Sequence, residues 1–540
     1  MSDRRTFIVT TGSASLGLTR LPALIGLRKD ADLVIRNGTL FDGTGAAGVE
    51  LDLAITGGRI SAIGPRLRDT GREEIDARGM AVAPGFIDIH SHADSNLPDD
   101  PRAESVIRQG VTTVVVGADG DSDATGSPAR PFGAYWEAVR GWRPAVNVAS
   151  MVGLGAIRGE KIGDADRPAT DAEVREMTAW VVRAIAEGAC GASSGLEYTP
   201  GGFASTAELG TCCAPLAAAR LPYATHMRNE DDRVLEAIEE SIAVARLARC
   251  PLQISHLKMQ GPRNWSKLDQ AFARVAEARR AGIDAAFDRY PYVAYQTGLT
   301  NLFPLWSRDG GTDAFLGRLV DTAVEPRIRE AVVAKVALIG GWDNVMVTSV
   351  RDSTDRAVEG KRLGSYAQGL GADPYEMTKD LLRRSRGGVG MVGFAMSEEN
   401  LDRILAHPQG MVCSDGGSFA IDGPTRRGSP HPRGAGSFPR VLARYVRERK
   451  ALTLAAAIHK MSGLPASRLR LRDRGRLVRG CAGDVVVFDP ATVADRATFE
   501  DPFQYPVGIS AVVVNGTVAL RDGARTDAGR HAGSPVRPGR

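Results

Sequence analysis

The sequence predicts an α/β protein: a (β/α)8 TIM barrel with a small β-sandwich domain built from the two ends of the chain. Two observations support this prediction. Short apolar strands alternate with amphipathic helices through the middle of the chain, and hairpin signals cluster near its ends. The predicted parts are a tail over 1–29, the sandwich over 30–83 and 475–540, and the barrel over 84–474 with an insertion near 293–342.

The hairpin signals place the predicted sandwich strands. Asn37-Gly38 separates two short apolar runs, and Gly57-Gly58 separates two more. Apolar runs of the same type return at 483–489 and 512–516. Because such dipeptides favour tight turns between antiparallel strands, the two ends are expected to share one β domain.

The middle of the chain supplies the predicted barrel elements. Helical spacing of apolar residues indicates helices over 172–188, 231–248 and 267–281. Short apolar runs indicate strands at 111–117, 190–196, 223–226, 252–256, 285–288, 345–348 and 410–415. Active sites of parallel barrels lie at the carboxyl ends of the strands, so residues that follow each strand are expected to meet there.

Composition excludes several classes of function. Of the 540 residues 43% are hydrophobic and 24% charged, with a formal net charge of +4, which gives no support for nucleic-acid binding. No apolar run is long enough to predict a membrane span. The six cysteines form no C-x-x-C pair, and they imply no disulfide framework.

The first residues differ from the rest of the chain. Arg4-Arg5 followed by Phe7 and a moderately apolar stretch resembles a twin-arginine export signal, which would place the protein in the periplasm or outside the cell. Arg20 interrupts the apolar stretch, and no clean cleavage site precedes Asp30. The alternative is a disordered tail on a cytoplasmic protein, and cleavage of the segment stays open.

Histidines at predicted strand ends indicate a metal site. His90 and His92 end the strand that begins after Pro84-Gly85, and alternation along a strand points both imidazoles to one side. A lone H-x-H pair is a weak signal that often marks solvated residues. The sequence has only eight histidines, however, and His226 and His256 also end predicted strands. The pattern therefore predicts a divalent-metal site.

These residues lie in longer strings that resemble one protein family. The chain resembles the amidohydrolase superfamily, and within it the D-aminoacylase group of N-acyl-D-amino-acid deacylases, from about residue 32 to 525. The strings are PGFIDIHSHAD (84–94), SSGLEYTPG (193–201), THMRNEDD (225–232), ISHLK (254–258), DRYPY (288–292), CSDG (413–416), HPR (431–433), SFPRVL (437–442) and QYPVGI (504–509).

The resemblance implies the chemistry of the site. It implies a hydrolase that uses one or two divalent metals to cleave an N-acyl-D-amino acid to a carboxylate and a D-amino acid. His90 and His92 would hold the weaker metal, and His226 and His256 the tighter one. Asp415 would be the general base that orients the attacking water and passes a proton to the leaving amine. The alternative for Asp415 is a helix N-cap, and for either single histidine a hydrogen-bonded core residue.

Substrate contacts are predicted for four further residues. Lys258 and Arg433 would bind the substrate carboxylate, Arg433 in bidentate fashion, and Tyr198 and Tyr290 would line the pocket. The bland interpretation of Tyr290 is packing beside Pro291.

The sequence departs from the family pattern at the residue that bridges the metals. The family has a cysteine after the strand at 111–117, whereas this chain has Asp119 there. Either Asp119 or Glu197 is expected to bridge. Zinc is the expected metal, but the harder oxygen ligand also favours manganese or magnesium.

Two other functions remain open from the sequence. One is a cyclic-amide hydrolase of the dihydropyrimidinase or hydantoinase kind, and the other is a catalytically silent binding protein on the same scaffold. The expected partner is a small N-acyl amino acid. The acyl group, the amino acid and the oligomeric state are not predicted.

Overall fold

The computed structural model describes residues 30–539. The twin-arginine-like segment and the rest of 1–29 lie outside these residues, so the export prediction is not addressed. Among the described residues, no helix combines the length and the hydropathy that crossing a membrane requires.

Strands and helices alternate along residues 30–539. The strands are β1 (Asp30–Leu40), β2 (Val49–Thr56), β3 (Arg59–Gly64), β4 (Thr70–Asp76), β5 (Ala81–Pro84), β6 (Phe86–Asp88), β7 (Val111–Val116), β8 (Asn147–Ser150), β9 (Val152–Gly153), β10 (Ala192–Gly195), β11 (Tyr223–His226), β12 (Leu252–Ile254), β13 (Ala285–Arg289), β14 (Ala294–Gly298), β15 (Val345–Val350), β16 (Val389–Phe394), β17 (Gly410–Val412), β18 (Val485–Phe488), β19 (Ile509–Val514), β20 (Thr517–Arg521) and β21 (Ala524–Arg525). The helices are α1 (Glu104–Ile107), α2 (Phe132–Trp142), α3 (Leu154–Ile162), α4 (Asp171–Glu187), α5 (Thr206–Cys213), α6 (Leu216–Ala219), α7 (Val234–Ala248), α8 (Leu268–Arg280), α9 (Gly311–Arg318), α10 (Glu325–Leu338), α11 (Leu363–Gly369), α12 (Pro374–Arg384), α13 (Glu398–Ala406), α14 (Arg433–Arg440), α15 (Leu454–Met461) and α16 (Gly463–Arg468).

Strands from the two ends of the chain share one sheet. Its order is β21-β20-β19-β18-β5-β1-β2-β3, and β4 pairs with β1 as the ninth strand. β18 runs antiparallel to β5, with Val485 opposite Pro84, which joins the late strands to the early ones. These strands belong to a single hydrogen-bonded sheet, so two facing sheets of the predicted sandwich are not directly seen within 30–539.

The parallel strands from the middle of the chain form two separate sheets. One has the order β17-β13-β12-β11-β10-β9 and the other β6-β7-β8. Beyond the strand ends, the Asp415 amide donates to the His90 carbonyl over 2.9 Å, but no strand ladder links β17 to β6 or β8 to β9 in this part of the chain. The closed barrel of the prediction is therefore not what the ladders show. The common strand direction still brings the carboxyl ends together.

A third sheet corrects one predicted strand. The run at 345–348 is expected to join the parallel set, but β15 pairs antiparallel with β16, which also pairs with β14. Apolar alternation cannot distinguish a parallel from an antiparallel partner, because both bury one face. β14 and the helices α9 and α10 lie in the predicted insertion.

The helix α4 shows how local sequence sets an element. The Thr170 side chain accepts a hydrogen bond from the Glu173 amide, and the Glu173 side chain accepts one from the Thr170 amide. This reciprocal pair is a capping box that fixes the first turn of the helix. Gly188 ends the helix in a left-handed conformation. Met177, Trp180, Val181 and Ala184 form its buried face. α4, α7 and α8 lie within a few residues of the ranges that the apolar spacing predicts.

Candidate metal centre and substrate cavity

A cavity of about 1010 Å³ opens at the carboxyl ends of the parallel strands. Every predicted site residue except His90 lines it: His92, Asp119, Glu197, Tyr198, His226, His256, Lys258, Tyr290, Asp415 and Arg433. His90 is buried directly beneath, in contact with two of these residues. The structure therefore brings the predicted site residues together at one place.

The first cluster contains His90, His92, Asp119 and Asp415. Asp119 Oδ1 lies 3.4 Å from His90 Nε2, and Asp119 Oδ2 lies 3.4 Å from His92 Nε2. Asp415 Oδ1 lies 3.5 Å and 3.2 Å from the same two nitrogens. The His92 side chain is 38% exposed and that of His90 only 3%, so this cluster opens to solvent on the His92 side.

The second cluster contains Asp119, His226 and His256. His226 Nδ1 and His256 Nε2 lie 3.1 Å apart, and Asp119 Oδ2 is 3.5 Å from His256 Nε2 and 3.9 Å from His226 Nδ1. Both histidines are buried. Asp119 thus belongs to both clusters, and its two oxygens lie between them.

Glu197 lies on the other side of His226. Its Oε2 is 3.6 Å from His226 Nε2, the ring nitrogen that faces away from Asp119, and it accepts from Asn301 Nδ2 over 3.0 Å. Burial raises the pKa of Glu197, but Lys335 and His226 outweigh it and lower the pKa to about 2. Glu197, His226 and Glu230 form a third group of close ligand atoms, and Asp119 is not part of that group.

The donor set suits a divalent cation. His90 Nε2 and Asp119 Oδ1 face each other, and both are buried without a hydrogen-bond partner. Buried polar atoms are normally paired, so atoms that converge without partners fit a ligand held between them. Imidazole nitrogens and carboxylate oxygens are ligands of zinc and of harder divalent ions.

Asp415 has a second neighbour, Arg433. Arg433 Nη1 donates to Asp415 Oδ2 over 2.7 Å, and both side chains are buried. Burial raises the pKa of Asp415, but Arg433 and the nearby imidazoles outweigh it and keep the pKa far below its usual range. Arg433 and the imidazoles around Asp415 therefore favour the carboxylate form of this side chain.

The predicted substrate residues occupy different positions on the wall. The Tyr290 hydroxyl is buried without a partner, and the Arg433 guanidinium lies 4.7 Å over its ring. Tyr198 packs against His226 with ring centroids 4.7 Å apart. Lys258, however, is already paired with another side chain: its ammonium donates to both carboxylate oxygens of Glu230 over 2.6 and 2.7 Å.

Glu230 is a site residue that the sequence reasoning misses. It is buried, its Oε1 lies 3.1 Å from His256 Nδ1, and its Oε2 lies 3.8 Å from His226 Nε2. One carboxylate thus faces the outer nitrogens of both histidines in the second cluster. The available signal is its position four residues after His226, in the acidic end of THMRNEDD.

Asp288 has a similar place beside the first cluster. Its Oδ1 lies 3.6 Å from His90 Nδ1 and accepts from the His256 amide over 2.8 Å. It is the second-last residue of β13 and the first of the DRYPY string, and its side chain is buried. Asp288 therefore helps to fix the orientation of His90 from below.

Three of these site residues have a rare backbone conformation. Asp119, His256 and Asp415 have φ values of 51°, 36° and 51°, in the left-handed region that side chains with a Cβ seldom adopt. Each follows a parallel strand and turns its side chain into the cavity. Strained positions of this kind concentrate at functional sites.

The parallel strands and the histidine–carboxylate clusters at their ends define an α/β protein with a candidate metal centre in an open cavity. Residues 73–520 match the family described as the amidohydrolase family, and the chain belongs to it. It is 36% identical over 519 residues to a D-aminoacylase of Alcaligenes xylosoxydans xylosoxydans, covering 93% of this chain and 96% of that one.

Solved structures of related proteins have a similar fold. The N-acyl-D-glutamate deacylase of Bordetella bronchiseptica, complexed with zinc and a phosphonate mimic of the tetrahedral intermediate, matches with a TM-score of 0.79. It is 34% identical, and the match covers 94% of this chain and 100% of that one. A dihydropyrimidinase of Brevibacillus agri matches with a TM-score of 0.58 and 17% identity over 94% and 99% of the two chains, a likeness of fold alone.

Proposed function

We propose that this protein is a metal-dependent hydrolase that cleaves N-acyl-D-amino acids to a carboxylate and a D-amino acid. The observation that supports this most is the pair of clusters that share Asp119 beside the buried Asp415. Membership of the amidohydrolase family and the near full-length similarity to a D-aminoacylase support an amide-bond hydrolase. The same similarity supports closure of the parallel strands into a barrel.

The residues present fit a metal centre. His226, His256 and Asp119 would hold one ion, and His90, His92 and Asp119 a second. A divalent ion in such a site supplies Lewis-acid polarisation of a carbonyl oxygen and lowers the pKa of a bound water. Zinc is the metal we propose first. Manganese and magnesium remain alternatives, because Asp119 supplies oxygen where the family has a thiolate.

Asp415 is proposed as the general base. Its Oδ1 faces His90 and His92, while Oδ2 is held by Arg433, so one oxygen remains directed toward the first cluster. That oxygen would accept the proton of the attacking water and pass it to the leaving amine. Arg433 would keep the carboxylate ionised and in place between these transfers.

The α-carboxylate of the substrate is proposed to bind Arg433 and Tyr290. Arg433 Nε is buried without a hydrogen-bond partner, so Arg433 retains a donor besides the one that binds Asp415. The Tyr290 hydroxyl is also buried without a partner and can donate to the same carboxylate. His431 Nδ1 accepts from the Arg433 amide over 3.0 Å, and its Nε2 lies 3.0 Å from the Ala294 carbonyl, which braces the loop. Lys258 is a further candidate only if Glu230 releases it.

Two alternatives have less support. Cyclic-amide hydrolases of this fold usually carry a carboxylated lysine at a strand end, and the only strand-end lysine of the prediction, Lys258, is paired with Glu230. A silent binding protein would be expected to lack a ligand, whereas all four histidines and Asp415 line or touch the cavity.

The direct test is hydrolysis of paired D and L N-acetyl amino acids by the full chain supplied with zinc, manganese or magnesium. We expect release of free D-amino acid and little or no release of the L form. Equal turnover of both enantiomers, or turnover of hydantoin or dihydrouracil in place of N-acyl substrates, would contradict the proposal.

Asp119→Asn should lower the metal content of the purified protein, whereas Glu197→Gln should change mainly the rate. The reason is that Asp119 belongs to both histidine clusters, whereas Glu197 groups only with His226 and Glu230. Elemental analysis of both variants tests this. If Glu197→Gln loses metal and Asp119→Asn keeps it, Glu197 is the bridge.

Glu230→Gln should weaken metal binding by about 10–100-fold, the usual effect of losing an outer carboxylate that orients a ligating histidine. The measurement is competition with a chromophoric chelator. The control is Glu236→Gln, which removes a carboxylate at an exposed position of α7. Position 260 is not suitable for a control, because Gln260 donates to Glu230. If the metal affinity of Glu230→Gln is unchanged, Glu230 does not orient the histidines and serves only to pair with Lys258.

Arg433→Ala should reduce kcat/KM for N-acyl-D-amino acids far more than for their carboxamide analogues. Part of the loss should affect both substrates, since Asp415 also loses its partner. The additional loss for the acid, about 2–5 kcal/mol, should measure the broken carboxylate contact. Arg433→Lys should restore only part of it, because a point charge does not replace the bidentate fork. Equal losses for acid and carboxamide would show that Arg433 does not bind the carboxylate.

A further inference from the structure

A second cavity, of about 610 Å³, lies at the opposite end of the parallel strands from the metal clusters. Pro251, Asp284 and Gln409 line it, and they directly precede the first residues of the parallel strands β12, β13 and β17. The sequence analysis does not predict this cavity, and the proposed hydrolysis does not use it.

The lining of this cavity is strongly basic. It holds six arginines and a single acidic residue, Asp284, which gives a formal charge of +5. The formal net charge of the whole chain is only +4. The lining of this one cavity is therefore more positive than the chain as a whole. The arginines are Arg220, Arg246, Arg249, Arg279, Arg468 and Arg470.

The one acid is shared by two of these arginines. Arg468 Nη1 lies 3.1 Å from Asp284 Oδ2, and Arg279 Nη1 lies 3.3 Å from Asp284 Oδ1. The Arg468 side chain is 4% exposed, so a charged group is held inside the wall. The other four make no side-chain hydrogen bond or ion pair with any residue of the described range 30–539.

Helix ends explain single arginines but not this concentration. Arg220 and Arg249 follow the last residues of α6 and α7, and Arg279 lies in the last turn of α8, where positive charge complements the helix dipole. Like charges in one cavity repel each other, however, and a surface without a bound anion would be expected to place acidic residues among the arginines. The tail 1–29 is not a suitable counterion, since it carries five basic residues and one acid.

We propose that this cavity binds a small anion that carries two or more phosphate or sulfate groups. Guanidinium groups bind such oxyanions through paired N–H donors, and several of them on one wall favour a multivalent ligand. The volume is in the usual range of small-molecule sites, and a concave site fits a compact ligand better than a membrane surface or a nucleic-acid duplex. The site is independent of the proposed amide hydrolysis.

The test is calorimetric titration of the full chain with glucose 1,6-bisphosphate, with glucose as the uncharged probe. We expect saturable one-to-one binding of the bisphosphate that weakens as salt is raised, and no binding of glucose. Arg246→Gln/Arg249→Asn should weaken binding at least about tenfold, the effect of losing a charge-assisted hydrogen bond. Both side chains are exposed, and asparagine tolerates the left-handed backbone of Arg249.

The control variant is Arg143→Asn/Arg183→Gln. It removes the same charge from one left-handed position after a helix and one exposed helical position outside the cavity. It should bind the bisphosphate as the unchanged protein does, and so should a variant that lacks His226 and His256. Absence of saturable binding, or equal weakening in both arginine variants, would overturn the proposal. So would binding only to anionic vesicles or duplex DNA, or binding that disappears with the two histidines.

Discussion

We expect Asp415→Asn to keep the fold and the bound metal but to lower kcat by about 10²–10⁴-fold, the usual effect of losing a general acid–base group. Asparagine has nearly the same shape, can still accept from Arg433 and tolerates a φ of 51°. It cannot accept the proton. Stopped assays with an N-acyl-D-amino acid, together with elemental analysis of the same samples, measure both parts of this prediction.

The control concerns stability. Loss of the charge on Asp415 leaves the buried Arg433 without an anionic partner, and breaking such a pair can cost about 3–5 kcal/mol. Thermal unfolding of the variant should therefore be compared with that of Arg433→Ala. If Asp415→Asn stays folded, holds metal and turns over within a few-fold of the unchanged protein, Asp415 is a structural residue and the proposed proton transfer is wrong.

The variant His226→Asn/His256→Asn should lose the tightly held metal and, with it, essentially all turnover. These two imidazoles and Asp119 supply the ligand atoms of the second cluster, so the double variant leaves one of its three ligands. Asparagine is chosen because His256 has a φ of 36°, where alanine would add strain. Metal content after gel filtration and activity with added zinc are the measurements.

His459→Asn is the matched control. His459 lies outside the cavity, on α15, where its Nδ1 lies 2.8 Å from the Gly43 carbonyl. It should change neither metal content nor rate. A metal-free but fully active double variant would contradict the proposal, and so would a double variant that retains the metal.

The strand-end rule predicts which candidate residues lie close together. His90, His92, Glu197, His226, His256 and Asp415 end or follow predicted strands, and the common direction of those strands brings them to one place, whereas Asp119 is predicted from the family resemblance. The rule needs only the period of the pattern and the direction of the chain. Both can be obtained from sequence, and local alternation decides which side chains point inward.

Residues off the strands escape that rule. Glu230 lies four positions beyond β11, in a turn whose conformation depends on contacts with Lys258 and Gln260 from another segment. The pairing of Arg433 with Asp415 joins the first residue of α14 to a loop residue after β17, and no periodic pattern encodes that distance. The partner of β15 is likewise decided by tertiary packing.

The left-handed positions at Asp119, His256 and Asp415 restrict how this protein can evolve. A residue with an ordinary side chain costs about 1–2 kcal/mol more than asparagine, aspartate or glycine in that conformation. An exchange of Asp119 for cysteine would therefore carry a backbone cost before any gain in metal affinity. Glu197 and Tyr198 lie in the same cavity without a left-handed backbone. Selection for another metal or another substrate should find its first tolerated substitutions there.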